Sequence, residues 1–163
     1  MQQEGDPRLP AIHVRAYAPT DREAVLALAP RFTIGLAPWL DPAAVLAAAH
    51  GWIFDTLASV GSTGAVFVAT GTGEECLGFV SVARRTHFTG EQRAYIGELA
   101  VATTAESQGL GRALIAAAEG WAIDQGFRAV ELDTDATNDR ARSFYHQQGY
   151  AEESVKLVKL LNQ

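Results

Sequence analysis

Residues 95–101 read Tyr-Ile-Gly-Glu-Leu-Ala-Val, and after a polar turn the chain continues Gln108-Gly109-Leu110-Gly111-Arg112-Ala113-Leu114. The first run is apolar and β-rich. From the second, Leu110, Leu114, Ile115, Ala118, Trp121 and Ala122 recur at helical spacing, and Gly126 closes the helix. A strand therefore runs into a glycine-bearing turn that opens an amphipathic helix. Free N–H groups at such a helix start, together with its dipole, suit a phosphate. Glycine lets the backbone approach a ligand with no Cβ in the way, but the same glycines also suit a tight turn that binds nothing. A dinucleotide-binding fingerprint is a further reading, since Gly109 and Gly111 supply G-x-G and Asp133 falls at a later strand end. Against it, Leu114 stands where the third glycine belongs, and about a hundred residues precede a turn that normally follows the first strand of its unit.

Working outward, residues 13–17 alternate as a first strand, and Thr20 with Glu23 forms a capping box for a helix ending near Pro30. Asp41 before Pro42 marks a second helix, cap then proline, whose apolar run continues through Val45, Leu46, Ile53 and Leu57. Residues 65–69 and 77–82 are β-rich and joined by Gly-Thr-Gly-Glu, which predicts an antiparallel hairpin. After the helix at 110, residues 129–132 form a strand, Asn138 caps a helix through Gln148 that Gly149 ends, and residues 154–161 form a last strand. Antiparallel strands in the middle and helical crossovers late in the chain predict an α/β (α+β mixed) fold. Its centre is a mixed, mostly antiparallel sheet with helices on both faces.

At 163 residues the chain suits one domain, read as residues 12–163 behind a flexible tail at 1–11. A net charge of −6 speaks against nucleic acid, whose phosphates need a basic footprint, and mildly favours a cationic substrate. Cys76, the only cysteine, excludes an intrachain disulfide and a cysteine-built zinc site. His13, His50, His87 and His146 share no metal-like spacing, so no metal is expected. Residues 56–73 carry no charge over nearly a membrane span, but Gly61, Gly64, Gly71 and Gly73 break the run. Residues 1–10 carry Glu4, Asp6 and two prolines where a leader would be apolar. A soluble, cytoplasmic protein without membrane association is expected.

The stretch Asn138-Asp139-Arg140-Ala141-Arg142-Ser143-Phe144-Tyr145 leads to Gly149-Tyr150, with Ala141, Phe144, Tyr145 and Gln148 on one helical face. Alone it reads as a core stripe. Together the two stretches resemble the GNAT superfamily of N-acetyltransferases, in which a strand of the L-x-V type precedes [Q/R]-x-x-G-x-[G/A]. About thirty residues later that family carries N-x-x-A-x-x-[F/L]-Y-x-x-x-G-[F/Y]. Leu99, Val101, Gly109, Gly111, Asn138, Ala141, Tyr145, Gly149 and Tyr150 fall in register, and the element order matches over residues 13–161. One departure stands out. The Gln/Arg position holds Glu106, followed by Ser107, which puts a carboxylate beside a pyrophosphate, although an acid and a cap also favour a helix start. Arg112, just inside the helix, is expected to offset the charge lost at the Gln/Arg position.

The resemblance implies acetyl-CoA as co-substrate, an amine acceptor and direct attack in a ternary complex, with a homodimer left open. It places the pantetheine arm along the backbone of Leu99, Ala100 and Val101. The pyrophosphate falls on the turn of Glu106, Ser107, Gln108, Gly109, Leu110, Gly111 and Arg112, and Asn138 and Ala141 lie beside the cofactor arm. It makes Glu98, on the face opposite Leu99, the base for the amine, and Tyr145 the donor to the leaving thiolate. The acceptor pocket is expected from residues 32–39, with Phe32 and Trp39, and from residues 152–154, with Glu152. A strand carboxylate paired with an arginine and a core tyrosine are the bland alternatives, and an acyl-CoA-binding module without transfer is the competing function.

Overall fold

The computed structural model describes residues 11–161; the expected tail therefore lies outside the described residues, Ala11 excepted. Strands β1 (His13–Ala16), β2 (Gly64–Thr70), β3 (Cys76–Thr86), β4 (Gln92–Val101) and β5 (Val130–Leu132) form one sheet in sequence order. The first four pair antiparallel, and β5 joins β4 in parallel. Helices α1 (Arg22–Leu26) and α2 (Pro42–Ala58) precede β2, α3 (Leu110–Asp124) crosses from β4 to β5, and α4 (Asp139–Gln147) follows β5. The mixed sheet with helices on both faces is the expected architecture, and its antiparallel body excludes a doubly wound parallel sheet.

Each face buries one helical stripe. Ala49, Ile53 and Leu57 of α2 repeat every fourth residue and pack with Val25 of α1 on Val66, Val68 and Phe79. On the other face, Leu110, Leu114, Ile115 and Ala118 of α3 cover Val80, Val82 and Ile96. Leu114 and Ile115 are fully buried, and each contributes roughly 1.5–3 kcal/mol of hydrophobic stabilisation. The predicted α2 start is present: the Asp41 carboxylate accepts from the Ala43 N–H at 3.1 Å, with Pro42 in the first turn. Gly126 closes α3 at φ +78° and Gly149 follows α4 at φ +92°, the left-handed geometry expected of both. Among the described residues no helix is long and apolar enough to cross a membrane.

Two expectations are corrected. The first helix is not a run opened by Thr20. It is broken into a 3-10 turn at Pro19–Asp21, the five residues of α1, and a second 3-10 turn at Ala29–Thr33. Asp21 takes the organising role, because its carboxylate accepts from the Ala18 N–H at 2.8 Å and pairs with Arg15 of β1 at 2.7 Å. Its hydrogen bond to Arg15 holds its pKa below the ordinary carboxylate value. The last strand is also absent: residues 154–161 are irregular and exposed, and among the described residues no strand pairs with them.

One irregularity in the sheet positions the site. Val80 pairs with Leu99 but Val82 pairs with Ile96, so Ser81 alone faces both Gly97 and Glu98. This bulge shifts the alternation of β4 by one residue. Before it, Ala94 and Ile96 face α3; after it, Ala100 faces α1 and α2 while Leu99 and Val101 face α3.

Candidate active site

β5 follows β4 only from Ala94 to Ile96, and β4 then continues with β3 as its one strand neighbour among the described residues. The Glu98 N–H donates to Ser81 Oγ at 2.9 Å and the Ala102 N–H to Leu77 O at 2.7 Å, both toward β3. By alternation the N–H groups of Leu99 and Val101 face the open side. The strand thus offers a short unpaired backbone edge where it leaves β5.

That edge leads into the quoted turn. A 3-10 turn at Thr103–Ala105 is followed by Ser107 at φ +62° and Gly109 at φ +88°. A left-handed serine is a strained conformation, of order 1–3 kcal/mol, and it turns successive N–H groups toward one side. Among the described residues the N–H groups of Ser107, Gln108 and Gly109 make no backbone hydrogen bond, and those of the first turn of α3, Leu110 to Arg112, have none by helix geometry. Gly111 answers to packing: a Cβ there would stand 3.3 Å from the Phe144 ring of α4.

Glu106 is not a bare carboxylate at this turn. Arg31, from the 3-10 turn after α1, ion-pairs with Glu106 Oε1, and Arg140 of α4 pairs with Oε2 at 2.9 Å. The Arg140 hydrogen bond is the largest of several effects that lower the Glu106 pKa. Arg31 also donates to Thr103 Oγ1 at 3.1 Å, while its Nε is buried without a partner. Two guanidiniums against one carboxylate leave the rim of the turn positive. Partners 75 and 34 residues away in sequence gave no local signal.

On the other face the bulge sends Glu98 inward, with 7% of its surface exposed. Ser81 Oγ donates to one carboxylate oxygen while accepting from the Glu98 N–H, and Thr56 Oγ1 of α2 donates to the carboxylate at 3.1 Å. Burial raises the Glu98 pKa, and the Ser81 and Thr56 hydrogen bonds oppose that rise. No arginine pairs with Glu98 among the described residues. A cleft of about 180 Å³ opens onto it, lined by Thr56, Ser59, Ser81, Tyr95 and Gly97 among others. Ser81 and Thr56 are the residues missed by the sequence reading, and their one signal is a hydroxyl inside an apolar strand or helix. A larger opening of about 460 Å³ near Trp121 and Phe127 lies at the far end of α3 from the turn.

Across the gap, Asn138 Oδ1 caps α4 by accepting from the Ala141 N–H at 3.1 Å. Thr137 Oγ1 donates to Gly35 O at 2.7 Å and Asn138 Nδ2 to Ile34 O at 3.3 Å, tying the segment after Arg31 to the start of α4. Tyr145 packs edge-on against Phe144 and Tyr150, and its hydroxyl has no hydrogen-bond partner among the described residues. Burial pushes the Tyr145 pKa up to about 12. The three expected acceptor residues lie elsewhere than the Glu98 cleft. Phe32 is edge-on to Phe79 in the core, Trp39 is half exposed, and Glu152 pairs with Arg142 at 2.6 Å. The fold also brings His87 to Glu131 and Glu153, a grouping invisible in the spacing, but the Arg93 guanidinium already sits on both carboxylates at 3.1 and 2.8 Å.

A free edge of β4 beyond β5 therefore leads into a donor-lined turn at a helix start, with a buried carboxylate on the opposite face. Residues 30–150 match the model of the acetyltransferase (GNAT) family, and the chain belongs to that family. It is 33% identical over 89 residues to the uncharacterised N-acetyltransferase YhfO of Bacillus subtilis, and 33% over 94 residues to aminoglycoside N(6')-acetyltransferase type 1 of Klebsiella aerogenes. Each match covers 54% of this chain and 60% of the relative. In fold it is similar to an acetyl transferase structure from Pyrococcus furiosus, with a TM-score of 0.75 at 23% identity over 93% of this chain and all of the other. It is also similar to aminoglycoside N-acetyltransferase AAC(6')-Iy in complex with CoA, with a TM-score of 0.68 at 20% identity over 97% and 99% of the two chains.

Proposed function

We propose that the protein moves an acetyl group from acetyl-CoA to a primary amine, by direct attack within a ternary complex. The observation that carries this reading is the β4 bulge. It turns the Glu98 carboxylate into the cleft on one face and leaves the Leu99 and Val101 N–H groups unpaired at the edge of the same strand. The pantetheine arm pairs with that edge, and its pyrophosphate takes the N–H groups of residues 107–111, with Arg31 and Arg140 beside them. The acceptor enters as an ammonium and loses a proton, through water, to Glu98. A raised carboxylate pKa makes Glu98 the stronger base for that task. The amine lone pair then attacks the thioester carbon, whose oxygen accepts from a strand N–H. The C–N bond forms, the C–S bond breaks, and the electron pair leaves on sulfur with the Tyr145 hydroxyl donating a hydrogen bond to it; the nitrogen gives up its second proton, which ends on the thiolate to leave CoA as the thiol, and Glu98 returns its own proton to water.

Acceptor chemistry follows from the cleft, where a buried anion among hydroxyls favours a cation; aminoglycosides, the acceptors named for one relative, belong in the test panel with simple amines and peptide N-termini. Purified protein is mixed with acetyl-CoA and each amine, and thiol release is followed. Amine-dependent release supports the reading. Saturable acetyl-CoA binding with no release against any amine would identify an acyl-CoA-binding module instead.

A further inference from the structure

The opening of about 460 Å³ at the far end of α3 has no role in the proposed acetyl transfer, yet its size is that of a small-molecule site. Its wall is aromatic. Phe67 of β2, Trp121 of α3 and Phe127 beyond it all line it, and the Trp121 and Phe127 rings lie 5.7 Å apart at 34°. All three are only partly buried where they pack on the α3-side core. Arg84 continues the face of Val80 and Val82 and places its guanidinium 5.7 Å from the Phe127 ring. Its backbone N–H donates to Thr63 O at 3.1 Å, which ties this end of β3 to the turn before β2. Among the described residues no carboxylate pairs with Arg84, and the side chains of Thr63 and Gln125 make no hydrogen bond. No Asp or Glu lines the cavity, although the chain as a whole carries a net charge of −6. Nor do the last carbonyls of α3 serve as partners for this cation. The Gly126 N–H donates to Ile123 O and the Phe127 N–H to Ala122 O, each at 2.9 Å.

We propose that this cavity binds a small aromatic carboxylic acid as its anion. The ring of the ligand lies against Trp121 and Phe67, where it covers apolar surface that is otherwise wet. A carboxylate one or two bonds from that ring reaches the Arg84 guanidinium, whose planar fork matches both oxygens. The Gln125 amide and the Thr63 hydroxyl add uncharged donors from the two sides. Other ligand classes fit less well. A cation meets Arg84 with no carboxylate to offset it, a neutral apolar compound leaves the guanidinium unanswered, and an inorganic anion leaves the aromatic wall open. The Glu98 cleft is a neighbour of opposite character. Thr63 to Val66 wall both spaces, but the buried carboxylate on that side repels an acid. This inference is independent of the acetyl-transfer reading.

The test is a proton–nitrogen NMR titration of the full chain, without acetyl-CoA, using phenylacetate as the probe. Phenylacetamide removes the charge and acetate removes the ring. The expected result is saturable shifts at the Trp121 indole N–H and at the Thr63 and Phe127 amides, with phenylacetamide and acetate each binding at least about tenfold more weakly. Arg84→Gln alters an exposed side chain, and its own spectrum reports whether the fold is kept. It is expected to weaken phenylacetate by about 10- to 150-fold, the loss of a hydrogen bond to a charged group. Arg84→Lys keeps the charge without the fork and is expected to fall between the two. Four results would overturn the proposal: no saturation at millimolar phenylacetate, shifts centred on residues 107–111 or on Glu98, equal binding of phenylacetamide, or unchanged affinity in folded Arg84→Gln.

Discussion

Replacing Tyr145 by Phe removes one hydroxyl and keeps the ring that packs on Phe144 and Tyr150. Burial has pushed the phenol to about 12, whereas an ordinary thiol lies near 8.5. Complete proton transfer from tyrosine to thiolate would then be uphill by about 5 kcal/mol. Full transfer is therefore the poorer account, and on the proposed mechanism the hydroxyl donates a hydrogen bond to sulfur as charge develops there. A hydrogen bond to a charged group contributes about 1.5–3 kcal/mol, which is about 10- to 150-fold in rate. Tyr145→Phe is expected to lower kcat by that factor and leave acetyl-CoA affinity unchanged. Stability is expected to change by less than about 0.5 kcal/mol, since the hydroxyl has no partner to lose. Stopped-flow measurement of thiol release at saturating amine reads kcat free of binding. Wild-type kcat in a folded Tyr145→Phe protein would refute the reasoning and leave the tyrosine as packing.

Glu106→Gln releases Arg31 and Arg140 toward the pyrophosphate. CoA affinity by calorimetry is expected to rise several-fold and to depend more steeply on salt; an unchanged affinity would mean that the ion pair only fastens α4 to the turn after α1. Ser81→Ala strips a hydroxyl that bridges the Glu98 N–H and carboxylate, and is expected to cost about 1–3 kcal/mol in denaturant unfolding. It also removes a bond to the charged form, so the acidic limb of the pH–rate profile is expected to move to higher pH. Glu98 itself has a folded pKa raised by burial, so its contribution to stability is full below the ordinary carboxylate pKa and is lost as pH rises through the raised value. Glu98→Gln is accordingly expected to raise Tm around pH 8 relative to wild type, with the advantage shrinking toward about pH 4. An equal shift at both pH values would show that the carboxylate is not the cause.

What the sequence made legible was local. Asp41-Pro42, the helical stripe from Leu110 and the cap at Asn138 are all settled by interactions within a few residues, and each stands where expected. The bulge was not legible, because it depends on the register of β3 against β4, and no residue type marks Ser81 as the one facing two partners. The hydroxyls on Glu98 and the guanidiniums on Glu106 come from distant elements, so the sequence showed an acid on a strand and an acid at a turn without their environments. Thr20 misled because a capping pattern was present while the competing carboxylate of Asp21 had the better partners, the Ala18 N–H and Arg15. Residues 154–161 misled for another reason: strand composition states a preference for pairing and does not bring the segment alongside a partner strand.

The central claim is that the Glu98 carboxylate, facing the cleft, takes the proton that the attacking amine must lose. It is tested most directly by measuring amine-dependent CoA release as a function of pH for wild type and Glu98→Gln side by side. The account predicts stoichiometric CoA and N-acetyl product from wild type, and a loss of about 10²–10⁴-fold in kcat/KM for the amine in Glu98→Gln at neutral pH with acetyl-CoA affinity retained. It further predicts that the acidic limb of the wild-type profile is missing from the variant. An identical profile and rate in the two proteins would contradict it.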